Sequence, residues 1–503
     1  MRSIFCFALV STVVLGAGCS SESGEDVADS ADEALSQCPA APPNPSEDAA
    51  AAPGHVRVWI TRQGGDGAEI VKGSDLAFGA PSSATTIDVD DTQRFQTIQG
   101  FGAAMTDSSA WMITKNLSCA ERQRVMQKLF DRKSGIGLSV LRQPIAASDF
   151  TVHGPYSYEE SPGKFSIDHD KAYILPMVKE AMRLNPQLVV VASPWSAPAY
   201  MKTNDSMLNG GEHGKLRGDM YGAYAEYLVK FVQAYEAAGV HITALTPANE
   251  PGQQTDYPGM DLSDTAETDL LAKELFPRLA SARLGGLKVL GFDYNWATPF
   301  PSTLLGDKRI AGKIDGIAYH CYGGSPTAMN VAHAAGKEAW VTECTSGSHP
   351  MRHGTALEQL IRSTRNWARA FLTWNVALGT FADGSDGFPH TGHGCTDCIG
   401  AVRIHGGKVE YTRDFSDLGH ASKFVHPGAT RIASNTFADY RDETSPSAKG
   451  GLEDVAFANT DGTIAVVAYN SSDAPITFQI RSRGQGVTYT LAARSPATFV
   501  WKP

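Results

Sequence analysis

The chain has 503 residues, 42% apolar and 19% charged, with a formal net charge of −11. That is an ordinary globular composition, long enough for one large domain or two to three smaller ones. No block rich in Lys and Arg occurs anywhere, which excludes binding to nucleic acid through a basic stripe.

The N-terminus has the form of a targeting segment. Arg2 supplies a short positive region, and Ile4 to Leu15 is an apolar stretch too short to span a bilayer. It closes on Leu15-Gly-Ala-Gly-Cys19, which resembles a bacterial lipoprotein cleavage site with Gly16 where a Leu is usual. Residues 1–19 therefore form an expected signal with Cys19 as the lipidated residue; a secretory signal cut nearby is the alternative. Either reading puts the mature chain outside the cytoplasm, lipid-anchored or secreted. Ser20 after Cys19 is compatible with an outer-membrane address.

Residues 20–54 hold eight acidic side chains, five prolines and no Lys or Arg. Such a segment cannot bury enough apolar surface to offset its ordering entropy. It reads as a disordered, self-repelling tether. Most of the negative charge lies here, so the remainder gives little sign of a charged substrate. Setting aside Cys6 and Cys19, six of the eight cysteines remain: Cys38, Cys119, Cys321, Cys344, Cys395 and Cys398. In an oxidising compartment an even number suggests disulfides, and six allow about 15 connectivities. Cys395-Thr-Asp-Cys398 lacks a second CxxC or HxxxH partner, which favours a small structural loop over a zinc or redox site.

Beyond the tether, short apolar strands alternate with amphipathic helices. The strands predicted are Thr97–Ala104, Leu138–Ile145, Gln187–Trp195, Ile242–Asn249, Lys288–Tyr294, Asp315–Tyr322, Ala339–Cys344 and Phe371–Ala377. Runs such as Leu188-Val-Val-Val-Ala192 suit parallel strands buried on both faces. Helical patterns cover Glu121–Phe130, Lys171–Leu184, Met220–Ala238, Thr265–Arg283 and Ala356–Ala370. Eight such units match an α/β fold of the (β/α)8 TIM-barrel type, expected over residues 95–425. The flanks alternate instead, in His55–Ile60 and in the tail from Val455, with an Asp461-Gly462 hairpin signal. Residues 55–94 and 426–503 are therefore expected to build one β-sandwich from both chain ends.

Chemistry in a TIM barrel sits at the C-terminal ends of the strands. Those ends carry Arg142, with Asp149 in the following loop, then Trp195, then Asn249 and Glu250, then His320 and Tyr322, then Glu343, and finally Trp374. Taken singly, each has an ordinary explanation as a loop charge or a core side chain. Jointly, two carboxylates ending the fourth and seventh strands, in a pocket with aromatics, suit glycoside hydrolysis. One must be a protonated acid and the other an ionised nucleophile. Arg142 would hold Glu343 ionised, while a drier, less cationic surrounding would raise Glu250.

The motifs that carry these residues are Ile98-Gln-Gly-Phe-Gly-Ala-Ala-Met-Thr-Asp107, Leu141-Arg-Gln-Pro-Ile-Ala-Ala-Ser-Asp149, Ala192-Ser-Pro-Trp-Ser-Ala-Pro198 and Thr246-Pro-Ala-Asn-Glu-Pro251. Ala318-Tyr-His-Cys-Tyr322, Val341-Thr-Glu-Cys344, Trp374-Asn-Val-Ala-Leu378 and Leu418-Gly-His-Ala-Ser-Lys-Phe424 complete the set. In this order the sequence resembles glycoside hydrolase family 30, the glucosylceramidase-like retaining β-glycosidases. The resemblance implies a barrel with a β-sandwich from both termini, with Glu250 as acid/base and Glu343 as nucleophile. It implies that Asp149, Trp195, Asn249 and Trp374 grip glucose, and that Arg142, His320 and Tyr322 surround the nucleophile. No metal or organic cofactor is expected, and no nucleic-acid partner. The chain is expected to be a monomer that meets the membrane only through its anchor. Two substrate classes follow from the family, glucosylceramide-like glycolipid and β-1,6-linked glucan. Thr373 stands where the animal enzymes carry Asp, and the segment Gly387–Cys398 resembles bacterial members; both bear on what lies beyond the first sugar. The rivals are a lipid-anchored carbohydrate-binding protein without catalysis and a sibling specificity such as xylanase or β-1,6-galactanase. Cys321 and Cys344 end neighbouring strands and could be bridged.

Overall fold

The computed structural model describes residues 51–82, 84–209, 213–344, 354–379, 398–435 and 451–503. The signal with Cys19, nearly all of the acidic tether, and the CxxC segment up to Cys395 lie outside the described residues.

Eight parallel strands close into a barrel. They are β1 (Gly100–Ala104), β2 (Val140–Ile145), β3 (Val189–Pro194), β4 (Ala244–Leu245), β5 (Lys288–Asn295), β6 (Gly316–His320), β7 (Glu338–Glu343) and β8 (Ala368–Thr373). Seven fall within the runs read from sequence to within one residue at either end, whereas β8 begins three residues before the run expected at Phe371–Ala377 and ends at Thr373. β1, β2 and β6 are buried at every position, as strands covered on both faces require. Val140, Val191, Ala244, Leu290, Ala318, Trp340, Ala370 and Leu372 form one buried cluster drawn from seven strands. The barrel interior is thus a packed core, and the chemistry is confined to its rim.

Two helical expectations shift for local reasons. Helix Ala356–Arg365 stops short of residue 370, because Trp367 takes a left-handed φ of 76° and Ala368 begins β8. The helix expected over Thr265–Arg283 runs as Asp264–Leu270, a π turn over Leu271–Leu275, and Phe276–Ser281. Pro277 has no N–H to give the carbonyl four residues back, and the wide turn precedes it. Helices Asp107–Lys115 and Arg413–Ser422 were not anticipated.

A second, 13-stranded sheet uses both chain ends. Strand His55–Gly64 pairs antiparallel with the last strand, Pro496–Trp501, in the register Trp59↔Thr498. Strands Leu452–Ala458 and Ile464–Asn470 form the hairpin signalled by Asp461-Gly462, where Gly462 has φ 85°. Val58, Ile87, Ile432, Val466, Phe478 and Trp501 belong to the sheet's own buried core. Strands Ala377–Leu378, Val402–His405 and Lys408–Tyr411 join this sheet too, although they fall within the stretch expected to be barrel. Helix Arg413–Ser422 bolts the two bodies together: His420 is buried between the hydroxyls of Thr61 and Thr498, each 2.9 Å away. Burial pushes this imidazole down to about 3, so it stays neutral.

Candidate active site

Five non-glycine residues at or just beyond the C-terminal ends of barrel strands have left-handed backbones. They are Ala146, Glu250, Phe292, Asp293 and Asn375, with φ of 65°, 43°, 78°, 69° and 68°. Each such conformation costs on the order of 1–3 kcal/mol unless its surroundings impose it. All five lie at the rim where the expected site residues converge.

Arg142, in β2, is fully buried beneath that rim. Its Nη1 donates to Glu343 Oε2, and its Nη2 donates to Asn249 Oδ1 at 2.7 Å and Asp293 Oδ2 at 2.8 Å. Its guanidinium also lies 4.7 Å from the Trp195 ring and 5.6 Å from the Trp374 ring, a cation–π arrangement. Tyr322 donates its hydroxyl to Glu343 Oε1 at 2.8 Å. Glu343 therefore takes two donors, one of them the permanently charged guanidinium of Arg142.

His320 closes the other side. Its Nδ1 is 2.9 Å from Glu250 Oε1 and its Nε2 is 3.1 Å from Asp293 Oδ1. Burial alone would push this imidazole down, but Glu343, Asp293 and Glu250 together raise it to about 9. It is a cation at neutral pH, donating from both nitrogens. The expectation that Glu250 sits in a less cationic place is therefore corrected, because an imidazolium touches it. Its carboxyl is still raised, chiefly by burial and further by the charge of Glu343, against the pull of His320 and Arg142.

Trp374 stacks on Trp195 with centroids 4.9 Å apart. The Trp374 side chain hydrogen-bonds Asp149, whose carboxyl is buried and raised by desolvation and by Glu343 and Glu250. Asp149 Oδ1 has no partner among the described residues. A buried acceptor of that kind, beside an aromatic platform, is suited to a ligand hydroxyl. Arg142, Asp149, Trp195, Asn249, Glu250, His320, Tyr322, Glu343 and Trp374 thus all come together in one place.

Two further residues escaped the sequence reading. Asp293 lies inside β5, fully buried. Besides Arg142 and His320 it accepts from Ser193 Oγ at 2.6 Å, Thr246 Oγ1 at 2.7 Å and Thr342 Oγ1 at 2.6 Å. Desolvation pushes it up, yet Arg142, His320 and Ser193 hold it well below the ordinary carboxylate range. A charged residue within a hydrophobic strand, Gly291-Phe-Asp-Tyr294, was the available signal. Tyr257 had no such signal. It packs against the cluster of Ala104, Phe150, Trp195 and Trp374, and burial followed by the charges of Glu250, Asp149 and Glu343 raises its hydroxyl.

Among the described residues, Glu250, His320 and Glu343 bring ligand-type atoms within 4.8 Å of one another. A metal ion does not suit this trio, because His320 is already protonated between carboxylates and Arg142 already neutralises Glu343. The same spacing puts the two glutamate carboxylates across a gap suited to one glycosidic centre. Retaining glycosidases hold their carboxyl groups about 5–5.5 Å apart and inverting ones about 6.5–9.5 Å.

Residues 98–384 match the glycosyl hydrolase family 30 TIM-barrel domain, and residues 428–499 match the family 30 β-sandwich domain. The chain is 32% identical over 441 residues to an endo-1,6-β-D-glucanase of Neurospora crassa, spanning 83% of this chain and 88% of the relative. It is 28% identical to the lysosomal acid glucosylceramidase of Mus musculus, spanning 82% of each. The solved endo-β1,6-glucanase BT3312 superposes with a TM-score of 0.78 at 28% identity, covering 89% of this chain and 99% of that one. Barrel, sheet and the carboxylate pair at the rim all agree with these matches: the chain belongs to glycosyl hydrolase family 30 and is a glycosidase.

Proposed function

We propose that the protein cleaves β-glucosidic bonds with retention, by double displacement, with Glu343 as nucleophile and Glu250 as acid/base. The observation that carries this reading is the carboxylate pair itself, with oxygens within 4.8 Å, Glu343 taking donors from Arg142 and Tyr322 and Glu250 raised chiefly by burial. Glu343, oriented by its contacts with Arg142 and Tyr322, attacks the anomeric carbon, while Glu250 gives its proton to the departing oxygen. The glycosyl ester that forms removes the negative charge of Glu343. That charge is one of the causes that raise Glu250, so Glu250 becomes the stronger acid and, once deprotonated, can take a proton from the incoming water. Trp195, Trp374, Asp149 and Asn249 would hold the sugar being transferred.

The substrate we propose is β-1,6-linked glucan. Three relatives at 30–32% identity are endo-1,6-β-D-glucanases, while those named as glucosylceramidases stand at 27–30%. A chain with a lipoprotein-type leader at Cys19, displayed on the cell surface as a monomer, would meet polymer more readily than a membrane glycolipid. No helix of the described residues is long and apolar enough to cross a membrane. The deciding experiment is product analysis on β-1,6-glucan and glucosylceramide side by side. Turnover of glucosylceramide alone would replace the substrate, and turnover of xylan or β-1,6-galactan alone would move it to a sibling specificity.

A further inference from the structure

Behind the site lies a buried acid that the chemistry above does not use. Glu267 belongs to helix Asp264–Leu270, which starts at the Ser263 cap, and its side chain is fully buried. Burial pushes its carboxyl up to about 8; the Phe292 amide pulls it down, and Asp293 and Asp264 push it up further. It is therefore uncharged at neutral pH. Its Oε1 accepts the Phe292 N–H at 2.8 Å, and its Oε2 has no partner among the described residues.

The amide it accepts is an unusual one. Phe292 and Asp293 are consecutive non-glycine residues with left-handed φ of 78° and 69°. Beside them the β5–β6 pairing slips, from Ala318↔Phe292 to Tyr319↔Tyr294. One residue is thus looped out of the barrel ladder, and the Phe292 N–H at the edge of that bulge takes its partner from outside the ladder. Glu267 supplies that partner from the helix layer. Gly291 allows the approach, since a Cβ there would stand 3.1 Å from Glu267 Oε1 and 2.7 Å from Leu304. The residue that the bulge looped out is Asp293, the common acceptor of Arg142, His320, Ser193, Thr246 and Thr342.

We propose that Glu267 is a positioning residue of the glycosidase: by anchoring the Phe292 amide it fixes the bulge that aims Asp293 at Arg142 and His320. The inference rests on the roles given above to Glu250 and Glu343. Glu267 touches none of the reacting atoms and acts only through the backbone of β5. Its buried form is neutral, so it adds no second negative charge beside Asp293 at working pH.

The test uses the full chain, an aryl β-D-glucoside and two near-isosteric variants. Glu267→Gln keeps an acceptor oxygen for Phe292, whereas Glu267→Asp withdraws it by one methylene. Glu267→Gln is expected to keep kcat within about twofold and to leave the alkaline limb of the pH profile in place. Glu267→Asp is expected to lose about tenfold in kcat with KM nearly unchanged. Its alkaline limb, set by the proton of Glu250, should also move to higher pH, because a slackened Asp293 holds the His320 cation less firmly and His320 then lowers Glu250 less. Native kcat and an unmoved limb in Glu267→Asp would overturn the proposal. So would equal losses in both variants, or a loss of thermal stability with an unmoved limb. Glu343→Gln is run alongside: if it stays active, the reading of the site fails and this inference with it; if it is dead while Glu267→Asp is native, only the positioning role fails.

Discussion

Glu250 and Glu343 meet at one edge of His320, whose Nδ1 stands 2.9 Å from an oxygen of the first and 3.7 Å from an oxygen of the second. The same imidazolium therefore feels the charge state of both carboxyls. Glu343→Gln should abolish turnover, since no other carboxylate replaces the nucleophile. Glu250→Gln should cost about 10²–10⁴ in kcat on substrates with poor leaving groups, and far less on an activated aryl glucoside. The anomer first released, followed by NMR, should be β; an α product would point to inversion.

Much of this site was legible because a polar side chain at the end of an apolar run stands out. Glu250, Glu343, Arg142 and His320 each end such a run, and spacing alone put them on one rim. Asp293 was hidden for the opposite reason. Its inward aim depends on two successive left-handed residues, which no period-2 pattern encodes. Tyr257 comes to the site on a loop whose path is set by contacts with another loop. The second sheet was anticipated in outline, but partners such as Trp59 and Thr498 lie too far apart in sequence for local signals to fix their register.

Removing the hub should be severe. Asp293→Asn leaves Arg142 and His320 buried with one charge partner fewer, and loss of a buried partner typically costs about 3–5 kcal/mol. Chemical denaturation should show a destabilisation of that order, and kcat should fall as Arg142 loses its fixed orientation. A variant with native stability and native kcat would remove Asp293 from its place as organiser.

The charge on His320 also links stability to pH. Its folded value, about 9, lies above the ordinary 6.5. The associated stability is fully present below 6.5 and is lost as pH rises through about 9. Between those limits the wild-type unfolding free energy should fall relative to that of His320→Gln, which has no such proton to lose. Parallel slopes for the two proteins across that window would show that the imidazole is not charged in the folded state.

Cys321 and Cys344 are joined by a disulfide, with Cα atoms 5.2 Å apart and a sequence separation of 23. Each cysteine adjoins a site residue, Tyr322 on one side and Glu343 on the other. Closing a loop of this length is worth about 3 kcal/mol in the chain-entropy account. The double variant Cys321→Ala/Cys344→Ala should lose stability of that order. It should also show a lower kcat from a looser Tyr322–Glu343 contact. Unchanged kcat would mean that the bridge acts on stability alone.

Tyr257 offers the sharpest handle on what lies beyond the first sugar. The loop that carries it leaves directly from Glu250 and folds back, with Gly252 N–H bonding to Met260 O at 3.2 Å. The buried Nζ of Lys202, which burial lowers to about 7, fastens it to the loop after β3, donating to Met207 O at 3.1 Å, Leu208 O at 3.2 Å and Gly259 O at 2.6 Å. In its protonated form it has three donors for those three carbonyls, so the loop is held as a wall and Tyr257 is its face toward the carboxylates. An aryl glucoside with a good leaving group needs little from such a wall, whereas the next glucose of a polymer needs its contact. Tyr257→Ala should therefore raise KM on β-1,6-glucan about tenfold, roughly the 1.4 kcal/mol of one lost aromatic contact. Its kcat on the aryl glucoside should stay within about threefold of native. Equal losses on both substrates would assign Tyr257 to the first sugar instead, and place the recognition of the second one elsewhere on the rim.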